Sequence, residues 1–182
     1  SMECCLDVVS DFRNDKINIG GEGAPLVPEF HQKIFARKNS SLFILNIGGI
    51  SNFTFLDGKK SFYGSDCGPW NALIDAYCQT FLNLPYDKNG DLAKNGKVHH
   101  QALKKMLSHP FFKKRHPKST GKEVFNIKFI PKELLKKSPN DILATLTELT
   151  AISIANSLHA QNKLPEQAII CGGGIKNRFL IN

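Results

Sequence analysis

Apolar and polar positions change period several times along the chain. Leu42-Phe43-Ile44-Leu45-Asn46-Ile47 is a short apolar run closed by Gly48-Gly49. Ile50 to Leu56 is a second run, in which Phe53 and Phe55 alternate with Asn52 and Thr54. That two-residue alternation is the mark of a strand with one buried face. Asp57-Gly58 predicts a two-residue hairpin turn, and Lys60 to Ser65 a third strand with Phe62 on one face. Three strands joined by tight turns predict an antiparallel meander.

Gly68-Pro69 breaks this pattern and the period becomes helical. Asn71 is expected to cap a helix in which Leu73, Ile74, Tyr77, Cys78, Phe81 and Leu82 recur at helical spacing, ended by Pro85. Residues 86–98 read as loop, 99–108 as an amphipathic helix, and 109–131 as irregular, with three prolines. Asn140-Asp141 opens a long helix to about Asn162, with Ile142, Leu146, Leu149, Ile152, Ile154 and Leu158 on its apolar face. Pro165 separates it from a buried strand, Gln167 to Cys171. Gly172-Gly173-Gly174 and a helix start at Ile175 or Lys176 follow. Ahead of all this, residues 7 to 31 contain Gly20-Gly21-Glu22-Gly23-Ala24-Pro25, a loop packed against something else. Pattern alone predicts an α/β domain with a mixed sheet.

The chain has 182 residues, 41% hydrophobic and 22% charged, enough to bury a core. No run of eighteen apolar residues exists, so no membrane span is expected, and the start carries no secretory signal. Cys4, Cys5, Cys67, Cys78 and Cys171 include no C-x-x-C pair and read as incidental thiols of a reducing, cytoplasmic compartment. The formal charge of +8 concentrates in short clusters, among them Lys113-Lys114-Arg115-His116, Lys118 and Lys122. They lack the aromatic interleaving of a nucleic-acid platform. They read as a solvated basic face with some local attraction for anionic substrates.

Four stretches carry candidate chemistry. The Gly48-Gly49 pair, flanked by Asn46 and Asn52, reads either as a phosphate-contacting turn or as a plain hairpin. Gly172-Gly173-Gly174 between strand and helix would admit a nucleotide to the backbone and helix N-terminus. Asp66, before Gly68-Pro69, reads as a general base facing a cleft or as a cap of the turn. Arg13, two residues after Asp11, offers a carboxylate-binding fork, or the two form a surface ion pair. Lys118-Ser119-Thr120-Gly121-Lys122-Glu123 lacks P-loop spacing, and His99-His100 lacks partners for a metal.

These stretches share an order. Val9-Ser10-Asp11-Phe12-Arg13, Gly20 to Pro28 with His31, Leu45 to Asn52, and Asp66-Cys67-Gly68-Pro69-Trp70-Asn71 with Asp75-Ala76 are similar to anhydro-N-acetylmuramic acid kinases. So are Tyr86-Asp87, Lys118 to Glu123 with Phe125-Asn126, Thr145 to Ala151, and Cys171 to Gly174 with Asn177. The match runs from about residue 7 to the end.

The resemblance implies the ribonuclease-H-like lobe of the actin/hexokinase fold, with a mixed sheet and a helical insertion at about 85–135. Residues 1–40 would be a remnant of the N-terminal lobe and interlobe segment, and 41–182 the C-terminal lobe, truncated at both ends relative to the family. It implies ATP and Mg²⁺ as cofactors and a small amino sugar, 1,6-anhydro-N-acetylmuramic acid, as substrate. The product would be N-acetylmuramic acid 6-phosphate, in peptidoglycan recycling. Asp66 would be the general base for the water that opens the anhydro ring. Asn46, Gly48, Gly49 and Asn52 would line the phosphate side, and Gly172, Gly173, Gly174 and Asn177 the adenosine side. Asp11, Arg13, Gly23, Ala24, Pro25, Gly68, Pro69 and Asn71 would lie toward the sugar, with Arg13 assigned to the lactyl carboxylate from its charge. No metal ligand is identified.

The N-terminal lobe is missing from the resemblance, so the chain alone is expected to be inactive, with a non-catalytic nucleotide-binding remnant or subunit as the alternative. A homodimer or a partner carrying the missing lobe, and an exposed apolar patch, are expected for the same reason. The family's Asp-Thr-Gly-Pro-Gly-Asn pattern reads Cys67 for Thr and Trp70 for Gly here, and Trp70 is expected to narrow the sugar pocket.

Overall fold

The computed structural model describes residues 26–181. Helix α1 (Pro28–Phe35) begins with proline at its first position, where the missing N–H costs nothing. Strands β1 (Leu42–Ile47), β2 (Ile50–Leu56) and β3 (Phe62–Pro69) form the expected meander. Strand β4 (Gln167–Cys171) joins β1 in parallel, giving a four-stranded mixed sheet in the order β3-β2-β1-β4. This is the mixed sheet of the fold class expected from the sequence.

Between β3 and β4 the chain is mostly helical. α2 (Asn71–Tyr77) passes into a π turn at Cys78–Leu82. The short α3 (Asp91–Lys94), α4 (His100–Leu107) and α5 (Pro110–Lys113) precede the long α6 (Pro139–His159). α7 (Arg178–Ile181) closes the described chain. Buried Asp87 accepts from Leu92 N and Ala93 N, both at 3.0 Å, so its carboxylate caps α3.

The core lies mainly around α6. Ile142, Leu143, Leu146 and Leu149 are buried against Leu73, Ile74, Tyr77 and the aromatic group Phe111 and Phe125. Further along, Ile154 and Leu158 pack under Phe43, Leu45, Ile47, Phe53, Cys67 and Trp70 of the sheet side. The opposite sheet face carries Leu42, Ile44 and Leu56 against Phe35 of α1. α6 also buries Thr145, Thr150, Ser153 and Ser157. Each hydroxyl returns to a carbonyl of its own helix, Thr150 Oγ1 to Leu146 O at 3.0 Å and Ser157 Oγ to Ser153 O at 2.8 Å. Small side chains with internally paired hydroxyls let the helix press closely on β3.

Several expectations are corrected. The β2–β3 connection is a five-residue loop, 57–61, in which Asp57 Oδ1 accepts from Lys59 N and Ser61 N. β3 continues through Gly68 to Pro69, because β3 is an edge strand and a proline is tolerated there. Asn71 is the first helical residue of α2, and its side chain makes no cap. The π turn rotates Phe81 out to 52% exposure. Among the described residues β4 is the other edge and not a buried strand, with Ile169 36% and Ile170 46% exposed. Trp70 is 0% exposed and belongs to the core, so its ring does not narrow a sugar pocket. α7 begins at Arg178, after a 3₁₀ turn over Gly173–Lys176.

Leu143→Ala, at a fully buried site in the centre of α6, is expected to cost about 2–5 kcal/mol. Urea unfolding should show the midpoint fall with little change in slope.

Candidate active site

Four polar side chains stand in one line across the sheet. Asn46 of β1 pairs with Cys171 of β4 on one side and with Asn52 of β2 on the other, and Asn52 pairs with Asp66 of β3. Strands lie about 4.8 Å apart, so the line from Cys171 to Asp66 spans roughly 15 Å. Leu45 and Ile47, the neighbours of Asn46, face α6, so the row occupies the α1 face. On that face His31 Nδ1 lies 2.8 Å from Thr54 Oγ1, and burial lowers the imidazole pKa.

Asp66 enters the row through the regular β2–β3 register, and a β-bulge follows it directly. Ser51 pairs with Gly68 and Asn52 with Asp66, which leaves Cys67 as an extra residue. Bulges of this kind re-aim side chains. Cys67 turns into the α6 side, where burial pushes its thiol up to about 12. Asp66 is itself buried. Its Oδ2 accepts from Thr120 N at 2.8 Å and Ser119 Oγ at 3.4 Å, and its own N–H donates to Lys118 O at 2.9 Å. The segment 118–120 therefore runs along the outer edge of β3 and fixes the carboxylate.

Both glycine turns meet the row. The Gly48-Gly49 turn joins β1 to β2, and Gly49 O accepts from Trp70 N at 3.3 Å and Ala72 N at 3.0 Å. This ties the turn to the start of α2. Gly172, at φ 91°, lies against Asn46: a Cβ there would come within 2.6 Å of Asn46 Oδ1 and of Ile47 O. A Cβ on Gly174 would overlap Ile47 Cγ2 and Trp70 Cζ2. Only glycine lets the chain after β4 lie this close to β1. Nothing lies near a Cβ at Gly173, so that backbone is open to a ligand.

Beside this turn is a cleft of about 280 Å³ lined by Asn71, Asp75, Tyr86, Gly173, Gly174 and Asn177, among others. It brings Asn71 to the glycine residues expected on the adenosine side. Asn177 is mostly buried, and its Oδ1 accepts from Leu180 N at 3.2 Å, so part of its role is to cap α7. Gly68 and Pro69 do not line the cleft: Gly68 backs onto Ser153 and Phe112, and Pro69 O accepts from Thr150 Oγ1. Asp11, Arg13, Gly23, Ala24 and Pro25 lie outside the described residues.

Three participants went unassigned in the sequence. Ser119 and Thr120 hold Asp66, and Lys122 reaches the Gly48-Gly49 turn, its Cε 3.8 Å from a Cβ placed on Gly49. All three sit in the Lys118-to-Glu123 stretch that carried part of the resemblance. Asp75 adds a titratable carboxyl to the cleft. Burial holds its carboxyl up to about 6, and the charge of Lys122 opposes that shift. Among the described residues, no three His, Cys, Asp or Glu side chains gather as a metal cluster. Mg²⁺ bound chiefly through phosphate and water needs only one or two carboxylates, so the donor set is compatible with an ion arriving on a nucleotide.

Asp75 has a raised folded pKa, so its ionisation opposes folding. Stability from this group is complete below the unfolded carboxyl range near 4 and falls as pH rises toward 6. Asp75→Asn should therefore raise the urea midpoint at pH 7.5 and leave it unchanged near pH 3.5. Gly174→Ala should lose about 1–3 kcal/mol through overpacking. It should also shift the emission of Trp70, the single tryptophan.

Comparison with known proteins places the chain in a family. The family model described as "Anhydro-N-acetylmuramic acid kinase" matches residues 2–182. An anhydro-N-acetylmuramic acid kinase of Gamma-proteobacterium EBAC31A08 is 52% identical over 98% of this chain and 49% of its own length. Those of Idiomarina loihiensis and Shewanella frigidimarina are 45% and 46% identical over 97% and 100% of this chain, and 48% and 50% of their own length. The chain spans about half the length of these relatives. It belongs to the anhydro-N-acetylmuramic acid kinase family.

Proposed function

We propose that the chain is a working part of an ATP-dependent kinase for 1,6-anhydro-N-acetylmuramic acid, making N-acetylmuramic acid 6-phosphate in the cytoplasmic recycling of peptidoglycan. The observation that carries this reading is the cross-strand row, which sets one carboxylate in line with residues at the strand ends from which the two glycine turns leave. Phosphoryl transfer depends mainly on positioning and electrostatics, and the row is suited to both.

In this reading Asp66 takes a proton from the water that attacks C1. The C1–O6 bond breaks, and O6 with its electron pair displaces ADP from the γ-phosphate. The water oxygen becomes the C1 hydroxyl. Thr120 N and Ser119 Oγ orient the carboxylate for that proton transfer. Backbone N–H groups of Gly48, Gly49 and the Gly172-to-Gly174 turn receive phosphate oxygens. Asn46 and Asn52 space the two turns, and Lys122 adds positive charge at the first. Mg²⁺, when bound with ATP, neutralises charge on the transferring phosphate. Asn71 and Tyr86 border the nucleoside side of the cleft. Asp11, Arg13 and the Gly23-Ala24-Pro25 loop are assigned to the sugar, and a further lobe is assigned to close the site.

The test is a chimera in which this chain replaces the matching half of the Gamma-proteobacterium relative. ATP-dependent phosphorylation of 1,6-anhydro-N-acetylmuramic acid is expected. Asp66→Asn should lower kcat by about 10²–10⁴-fold with little change in KM for ATP. Unchanged turnover in the Asp66→Asn chimera removes Asp66 from the chemistry.

A further inference from the structure

On the face of the sheet away from the polar row, a larger cleft of about 760 Å³ opens between β3 and α6. It falls in the size range of small-molecule sites. One wall carries Lys114, Arg115 and Lys118, and among the described residues no carboxylate lines the cleft. The three ion pairs among the described residues involve none of these cations.

Lys118 is the unusual member. It is 94% removed from solvent by its 6% exposure. Among the described residues its ammonium donates to one acceptor, Phe111 O at 3.2 Å, and lies 4.5 Å from the Phe111 ring centroid. A buried ammonium without a counter-charge is costly, and burial lowers its pKa accordingly. The positive field is felt by His116, whose imidazole is held down to about 4 by burial and then by the charge of Lys118. His116 is thus neutral at pH 7 and enters as a hydrogen-bonding ring, its Nδ1 2.6 Å from Ser65 Oγ.

The rest of the cleft is of a different character. Tyr63 donates its hydroxyl to Gln161 Oε1, and Asn156 and Asn162 add amides on the α6 side. Phe112 supplies apolar surface. A cationic wall facing an amide- and hydroxyl-bearing wall suits a ligand with a dianionic end and a hydroxyl-rich body.

We propose that the β3–α6 cleft is a second ligand site, taking a phosphorylated sugar with its phosphate toward Lys114, Arg115 and Lys118. This site is separate from the row containing Asp66 and does not depend on the catalytic reading. It is nonetheless adjacent along the chain, since Ser119 and Thr120 continue from Lys118 to Asp66.

The test uses the full chain, glucose 6-phosphate as probe, and backbone amide spectra as readout. Saturable shifts are expected at residues 115–118 and 153–161, with glucose producing none at the same concentration. Lys114→Glu with Arg115→Glu, two exposed positions, should weaken binding at least tenfold and leave the unfolding midpoint near that of the parent. Shifts confined to Gly48, Gly49 and Gly172 to Gly174, no saturable shifts, equal shifts with glucose, or unchanged affinity in the double variant would each overturn the proposal.

Discussion

The β2–β3 register is the constraint on which the site depends. In the pairing that runs unbroken from Leu56–Phe62 to Asn52–Asp66, Asp66 points to the α1 face, and one extra residue, Cys67, then lets Ser51 meet Gly68. Cys67 is then free to fill the core under α6, and Ser51 Oγ donates to Gly68 O at 3.2 Å to hold the strand beyond the bulge. A one-residue difference in pairing would turn the carboxylate toward the buried helix. The segment 118–120 locks this arrangement from outside, using Lys118 O for the Asp66 amide and Thr120 N for its carboxylate.

A second constraint is close approach between the ends of the sheet. Gly174 lies on Ile47 and Trp70, and Gly172 on Asn46. Trp70 in turn donates its backbone N–H to Gly49 O. The two glycine turns are therefore linked through one buried tryptophan, by its backbone on one side and its ring on the other, and one asparagine. Their spacing is a property of the core and not of loop chance, which is what preorganised phosphate binding requires.

Much of this was legible in the sequence. The two-residue alternation of Phe53 and Phe55 with Asn52 and Thr54 placed β2 and assigned Asn52 to the polar face. The glycine turns were visible as punctuation. The end of β3 was not visible, because Gly68-Pro69 reads as a break anywhere except on an edge strand. The apolar run of β4 reads the same whether covered or not, so its exposure needed the sheet order. Asn71 looked like a cap because residue type favours it there, but the turn's amides are satisfied by Gly49 O instead. The raised carboxyl of Asp75 and the grip of Thr120 on Asp66 join residues far apart in the chain. Spacing holds no record of such contacts.

Hydrogen exchange of the backbone amides, with and without ATP and Mg²⁺, tests the central claim most directly. The account predicts that nucleotide slows exchange together at residues 48–49 and 172–174, the two turns joined by Asn46. Protection at only one turn, or protection elsewhere with both turns unchanged, would contradict a single phosphate-facing surface built on the cross-strand row.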